Sequence, residues 1–179
     1  DELKRLEEKQ IGISRLEQVR DIFLFCCLTG LAYVDVASLS TENIVEGKRG
    51  KQWLRKARNK TNNMCNIPLL RSALRILEKY AEFRAATGRL LPVPSNQKMN
   101  AYLKELATLC GITKNLTTHC ARHTFATTVT LANGASLENV SKMLGHSSVR
   151  MTQHYAKILN SSIERDMDKI ESELIGEDE

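Results

Sequence analysis

Along most of this chain apolar residues recur three and four positions apart, the period of a helix with one buried face. Leu3 and Leu6 predict a short helix over residues 1–9, and Leu16, Val19, Ile22, Phe23, Cys26 and Cys27 a stronger one over 15–28, stopped by Gly30. The stretch YVDVASLSTENI reads as another short helix, with Ser40 or Thr41 starting a turn into a strand. The helical period is then lost. IVEGKRGKQWLRKARNKTNNMCNIPL has two turn clusters separating short runs, which predicts a three-stranded antiparallel sheet with Trp53 packed on it and Lys60 at the tip of the second turn. Helical spacing returns over 71–87 (Leu74, Leu77, Tyr80, Ala81) as one regular helix ended by Gly88; Pro92 and Pro94 mark an extended link, and 100–110 is the next helix, stopped at Gly111. Thr118 is placed to cap a helix running to about residue 132, and Ser136 another leading to Leu144. Tyr155 falls in a short helical stretch of its own, and 158–175 reads as a polar-faced helix whose stripe is Ile163, Met167, Ile170 and Leu174. The fold class is therefore mainly α with a small three-stranded antiparallel β-sheet (α+β). A chain of 179 residues makes one such domain, burying about 70% of the surface it exposes when unfolded.

Charge adds a partner. The net +5 hides a split: residues 164–179 carry eight acidic and two basic side chains (−6), leaving +11 on residues 1–163. From residue 47 to 77 there is no acidic residue at all, against Lys48, Arg49, Lys51, Arg55, Lys56, Arg58, Lys60, Arg71 and Arg75. A body this basic suggests a polyanion, and the sheet's Lys48, Arg49, Lys51, Arg55, Lys56 and Arg58 are the expected DNA-binding cations, acting by plain phosphate attraction. No apolar run approaches the length that spans a bilayer and residues 1–10 lack an apolar signal region, so a cytoplasmic, bacterial protein with no membrane partner is expected. Five scattered cysteines, mostly among apolar residues, are expected as reduced core thiols.

Chemistry concentrates between Leu116 and Tyr155, where all four histidines lie. In LTTHCARHTFAT, His119 and Arg122 are three apart on one face of a first helical turn, a ready anion site. In LGHSSVRMTQHYAKI, His146 follows a helix stop at Gly145, and Tyr155 comes nine residues later. An Arg-His-His cluster converging on tyrosine points to attack on a phosphodiester. About one tyrosine in a thousand is ionised at neutral pH, a deficit of roughly 4 kcal/mol that a neighbouring base or cation must offset. The phosphate needs the complement, fixed donors for charge growing on its non-bridging oxygens. A metal reading, with His119 and His123 four apart, lacks the glutamate and the spaced cysteine or carboxylate it requires.

These residues resemble the tyrosine recombinases (phage and transposon integrases). The family's His-x-x-Arg box looks like His119 to Arg122, its Leu-Gly-His box like Leu144 to His146, and its nucleophile like Tyr155. TGLAYVDVASL and LPVPSNQKMNAYLKEL look especially like integrases of conjugative and mobilisable elements. The resemblance implies strand exchange through a covalent 3′-phosphotyrosyl intermediate, without cofactor or metal. In it Tyr155 attacks, Arg122 holds the non-bridging oxygens, and His119 is the acid/base partner of the tyrosine. His146 donates to the phosphate, and Lys60 protonates the leaving 5′ oxygen. His123 and His154 are expected to be structural neighbours. It further implies double-stranded attachment-site DNA as partner, with accessory DNA-bending proteins, and a homotetramer on DNA from a monomer when free. A catalytic domain over 1–160, a tail over 161–179 packing in trans and N-terminal DNA-binding domains outside this chain complete the expectation. One position departs: after Thr29, Gly30, Leu31 the family usually has the first of two phosphate-clamping arginines, and here stands Ala32. Arg20, bordering the apolar stripe of the preceding helix, is the candidate replacement; the alternative is an arginine solvated on a helix flank. The rival function is a DNA-binding remnant that recognises but does not cut.

Overall fold

The structure, a computed structural model, describes residues 2–156 and, beyond them, 167, 168 and 170–172. Helix α1 (Glu2–Glu8) leads into α2 (Ser14–Thr29), about which the domain is built. Helices α1, α4 (Arg71–Lys79), α6 (Asn96–Leu109) and α7 (Thr118–Thr124) all pack on α2. Its predicted stripe is buried, and so is every residue from Asp21 to Cys27, as befits a helix surrounded on all sides. Phe23 and Phe25 lie fully inside, each burial stabilising the fold by about 1.5–3 kcal/mol.

Gly30, at φ 70°, ends α2 in the left-handed region that favours glycine. A Cβ there would stand 2.5 Å from Phe125 and 2.9 Å from Leu144, so this close approach brings the Gly30 carbonyl against α7. Helix α3 (Tyr33–Ala37) follows, and Ser40 caps a short 3₁₀ turn into the sheet. Strands β1 (Ile44–Glu46), β2 (Gln52–Ala57) and β3 (Met64–Pro68) pair antiparallel in the order β1-β2-β3, with Val45 opposite Trp53 and Leu54 opposite Ile67. Leu54, Cys65 and Ile67 bury one face, the alternation a half-covered sheet requires.

The predicted helix 71–87 is broken. Tyr80 leaves helical geometry (φ −106°, ψ 24°), separating α4 from α5 (Ala81–Thr87). The break lets its hydroxyl donate to the buried Asp21 carboxylate at 3.0 Å, beside Lys79 Nζ at 2.6 Å. Burial and Asp21 push the Tyr80 phenol well above its ordinary value. Helix α6 begins four residues earlier than predicted, because Ser95 accepts from the Lys98 backbone as an N-cap. The cap of α7 is Thr117, one residue before the expected Thr118. Past α7 the predicted helix continues as a π-helical turn (Phe125–Thr130) and a 3₁₀ turn (Leu131–Asn133). The hydroxyls of Thr124, Thr127 and Thr130 bond back to carbonyls one turn earlier, which loosens the ordinary ladder. Ser136 caps α8 (Leu137–Met143) as predicted, and α9 (Arg150–Ala156) carries Tyr155. All five cysteines are free thiols, and burial pushes Cys26 up to about 12 and Cys65 to about 11. Met167 and Ile170 of the predicted C-terminal stripe are exposed; Ile163 and Leu174 lie outside the described residues. Among the described residues no helix is long and apolar enough to cross a membrane.

Candidate active site

Three separate stretches of sequence end at one guanidinium. Arg122 is only 6% exposed; Nη1 donates to the Gly30 carbonyl at 2.6 Å and Nη2 to the Leu144 carbonyl at 2.7 Å. Nη2 also meets His146 Nε2 at 3.1 Å. Arginine only donates, so His146 Nε2 accepts, and its proton sits on Nδ1, which faces the hydroxyl of buried Thr152 in α9 at 2.8 Å. Burial, Arg122 and Arg58 press the imidazole down to about 4, so His146 is neutral at physiological pH. Tyr155 is 6% exposed and lies parallel to the His146 ring, centroids 6.4 Å apart. Among the described residues its hydroxyl makes no hydrogen bond.

Between pH 6.5 and 4 the unfolded chain binds a proton at residue 146 that the folded chain refuses, so stability falls as pH drops through that window. His123, lowered chiefly by burial, acts in the same sense. The urea midpoint is expected to fall from pH 7 to pH 5, with a shallower fall in His146→Gln; equal slopes would show that this histidine does not carry the dependence.

Arg58 joins the same pocket from the sheet. It leaves β2 at the start of the turn to β3, and Gly145 (φ 63°) admits it: a Cβ there would stand 2.9 Å from Arg58 Cδ and 2.8 Å from Cys65 Sγ. Its charge acts on both Arg122 and His146. The side chain is 11% exposed, Nε stands 3.8 Å from an Asp35 oxygen, and this buried nitrogen makes no hydrogen bond among the described residues. Asp35 spends its other oxygen on the Asn59 backbone N–H at 2.8 Å, while Asn59 also donates to Val34 and Asn63 to Gly145. The turn is thus pinned to α3 and to the end of α8. Lys60 rides on it, exposed at the tip as predicted.

Arg20 is elsewhere. Its guanidinium donates to the Lys9 carbonyl at 2.6 Å and pairs with Asp21. Along α2 it stands ten residues before Gly30, about 15 Å of helix rise. The expectation that it fills the gap at Ala32 is corrected: a side chain rooted there and held by Lys9 does not reach the Arg122 pocket. Arg58, expected among the DNA-binding cations, lies largely inside the pocket rather than on the surface; Lys48, Arg49, Lys51 and Arg55 lie exposed, and Lys56 donates to the Ser38 carbonyl. The signal for Arg58 was Asp35, a carboxylate between apolar neighbours that needed a buried partner. Thr152 left no such signal. His119 is exposed and bonds His123 rather than Arg122, Nε2 to Nε2 at 3.1 Å.

Residues 3–161 match the phage integrase family. The chain is 44% identical over 71 residues to the tyrosine recombinase XerD of Staphylococcus saprophyticus, covering 40% of this chain and 24% of that protein. It is 33% identical over 136 residues to XerD of Corynebacterium glutamicum, covering 75% of this chain and 43% of that one. The chain therefore spans less than half the length of these curated relatives. A crystal structure of XerA recombinase superposes with a TM-score of 0.70 at 25% identity, over 96% of this chain and 63% of that one. The Tn1549 transposon integrase in complex with a circular intermediate DNA superposes at 0.63 and 16% identity, over 86% of this chain and 57% of that one, a likeness of fold. A match running across nearly the whole described domain, on a fold that draws its separated motifs around one buried arginine, makes this chain a member of the phage integrase family of tyrosine recombinases.

Proposed function

We propose that this chain is the catalytic domain of a site-specific DNA recombinase that cuts and rejoins DNA at attachment sites, integrating or excising a mobile element. The observation that carries it is the pair of guanidiniums, Arg122 and Arg58, beside His146 with the ring of Tyr155 parallel to it. Two cations held together with few neutralising groups need an anion between them, and a phosphodiester is the anion a tyrosine attacks. The Tyr155 oxygen bonds to phosphorus, the P–O5′ bond breaks, Lys60 gives the leaving oxygen its proton, and His119 takes the tyrosine's. The reverse sequence rejoins, with no cofactor, because the phosphotyrosine conserves the bond energy. His146 holds Arg122 before DNA arrives; the phosphate's charge offsets the two arginines and favours a proton on Nε2, turning it into a donor.

The exposed Lys48, Arg49 and Lys51 in the β1–β2 turn and Arg55 on β2 supply backbone attraction to double-stranded DNA. Assembly is as a homotetramer on DNA with tails exchanged in trans. The non-cutting remnant rests on Ala32; a second cation at Arg58 favours the cutting reading over it.

The test is a nicked attachment-site duplex that traps the intermediate, incubated with the full-length protein. A protease-sensitive adduct on a denaturing gel is expected, with the nucleotide mapped by mass spectrometry to Tyr155. Attachment to Tyr33, Tyr80 or Tyr102, or binding without any adduct, would overturn the reading.

A further inference from the structure

His123 lies outside the set of residues given roles above, yet its ring is central to the geometry. It sits four residues after His119 on α7, half-buried, with ring centroids 4.8 Å from His119 and 4.9 Å from Tyr155, meeting each nearly edge-on at 79° and 75°. The Nε2 atoms of the two histidines stand 3.1 Å apart. His154 approaches from the other side, centroids 6.2 Å away. Among the described residues His119 itself makes no ring contact with Tyr155, so the path between the proposed acid/base group and the nucleophile runs through His123.

We propose that His123 is a positioning residue of the tyrosine step: by one imidazole–imidazole hydrogen bond it fixes the tautomer and direction of His119, while its ring seats Tyr155. The inference rests on the reading of Tyr155 as nucleophile. Two neutral imidazoles share a hydrogen bond through Nε2 only when one carries its proton there and the other does not, so the pair holds opposite tautomers. Burial lowers His123, which keeps it neutral and able to play its half. A lone exposed His119 would spread over both tautomers and several rotamers, and only some of these present the right nitrogen to the tyrosine proton. His123 removes that freedom before DNA binds.

Two measurements on the full-length protein decide it. Long-range ¹H–¹⁵N spectra of the imidazoles are expected to show opposite tautomers at His119 and His123. In His123→Phe, which keeps a ring edge against Tyr155 but has no nitrogen, His119 is expected to revert to a mixture. The same variant should form adduct on nicked DNA about 10- to 100-fold more slowly, less than the roughly 10² to 10⁴ that a positioned acid/base contributes, because His119 itself remains. His123→Gln, which restores a polar group at that reach, is expected to recover most of the rate. Identical tautomers in wild type, or a Phe variant as fast as wild type, would overturn the role. Wild type with opposite tautomers but no adduct would overturn the tyrosine step itself and the role with it, an outcome told apart from failure at His123 alone.

Discussion

Arg58→Ala is expected to slow adduct formation on nicked attachment-site DNA by about 10³ to 10⁵, while Arg20→Ala leaves it essentially unchanged. The argument is a count of donors. Of the five N–H groups on the Arg122 guanidinium, three already face Gly30, Leu144 and His146. Two remain for the phosphate, one for each non-bridging oxygen, and those oxygens accept further donors as charge grows on them. Ala32 offers none. Arg58 is buried in the same pocket with an unbonded Nε, its carboxylate neighbour Asp35 standing at ion-pair rather than hydrogen-bond distance. A buried donor left without a partner costs about 1–3 kcal/mol, and a fold keeps such a group where a ligand completes it. Arg20, by contrast, is engaged with Lys9 and Asp21. Arg58→Lys should recover part of the rate, since the charge persists without the fork. An Arg58→Ala protein that forms adduct at the wild-type rate would sink the assignment, and a loss confined to Arg20→Ala would reinstate the earlier expectation.

How much of this was legible depended on range. The early helices, the hairpins and the Ser136 cap rest on local spacing and turn chemistry, and the structure has them close to where the pattern put them, while α6 starts four residues early at its Ser95 cap. The break at Tyr80 was not legible, because its cause is a buried carboxylate on α2, 59 residues away in sequence. The π-helical turn after α7 was half written in the threonines, whose back-bonding hydroxyls are visible only as a run of Thr. In the site, Arg122, His146 and Tyr155 converge as their spacing implied. The second cation did not, because a helix flank looked like a rigid platform while the β2–β3 turn looked like surface. What lifts Arg58 inward is Asp35, the pinning of Asn59 and Asn63, and the space that glycine leaves at 145. These are tertiary facts with only a faint local trace.

Arg122→Ala is expected to remove both activity and a large part of the stability, and this separates it from Arg58→Ala. The guanidinium is the tie between the end of α2 and the end of α8, through carbonyls that no water replaces easily. Deleting it strands two carbonyls and His146 Nε2 at about 1–3 kcal/mol each and leaves a cavity. A total of about 3–9 kcal/mol is expected, a fall in Tm of roughly 6 to 36 °C for a domain of this size. Arg122→Lys should do little better, because a single ammonium on a flexible stem does not span Gly30 and Leu144 together. Arg58 makes no such tie; Arg58→Ala removes an unbonded donor but leaves the buried Asp35 carboxylate without its ion-pair partner, so it should unfold below wild type yet above Arg122→Ala, while losing the chemistry. Thermal unfolding of the two variants beside their adduct rates reads both halves. An Arg122→Ala protein as stable as wild type would mean that the two carbonyls find other partners, and that Arg122 serves the phosphate without organising the site around it.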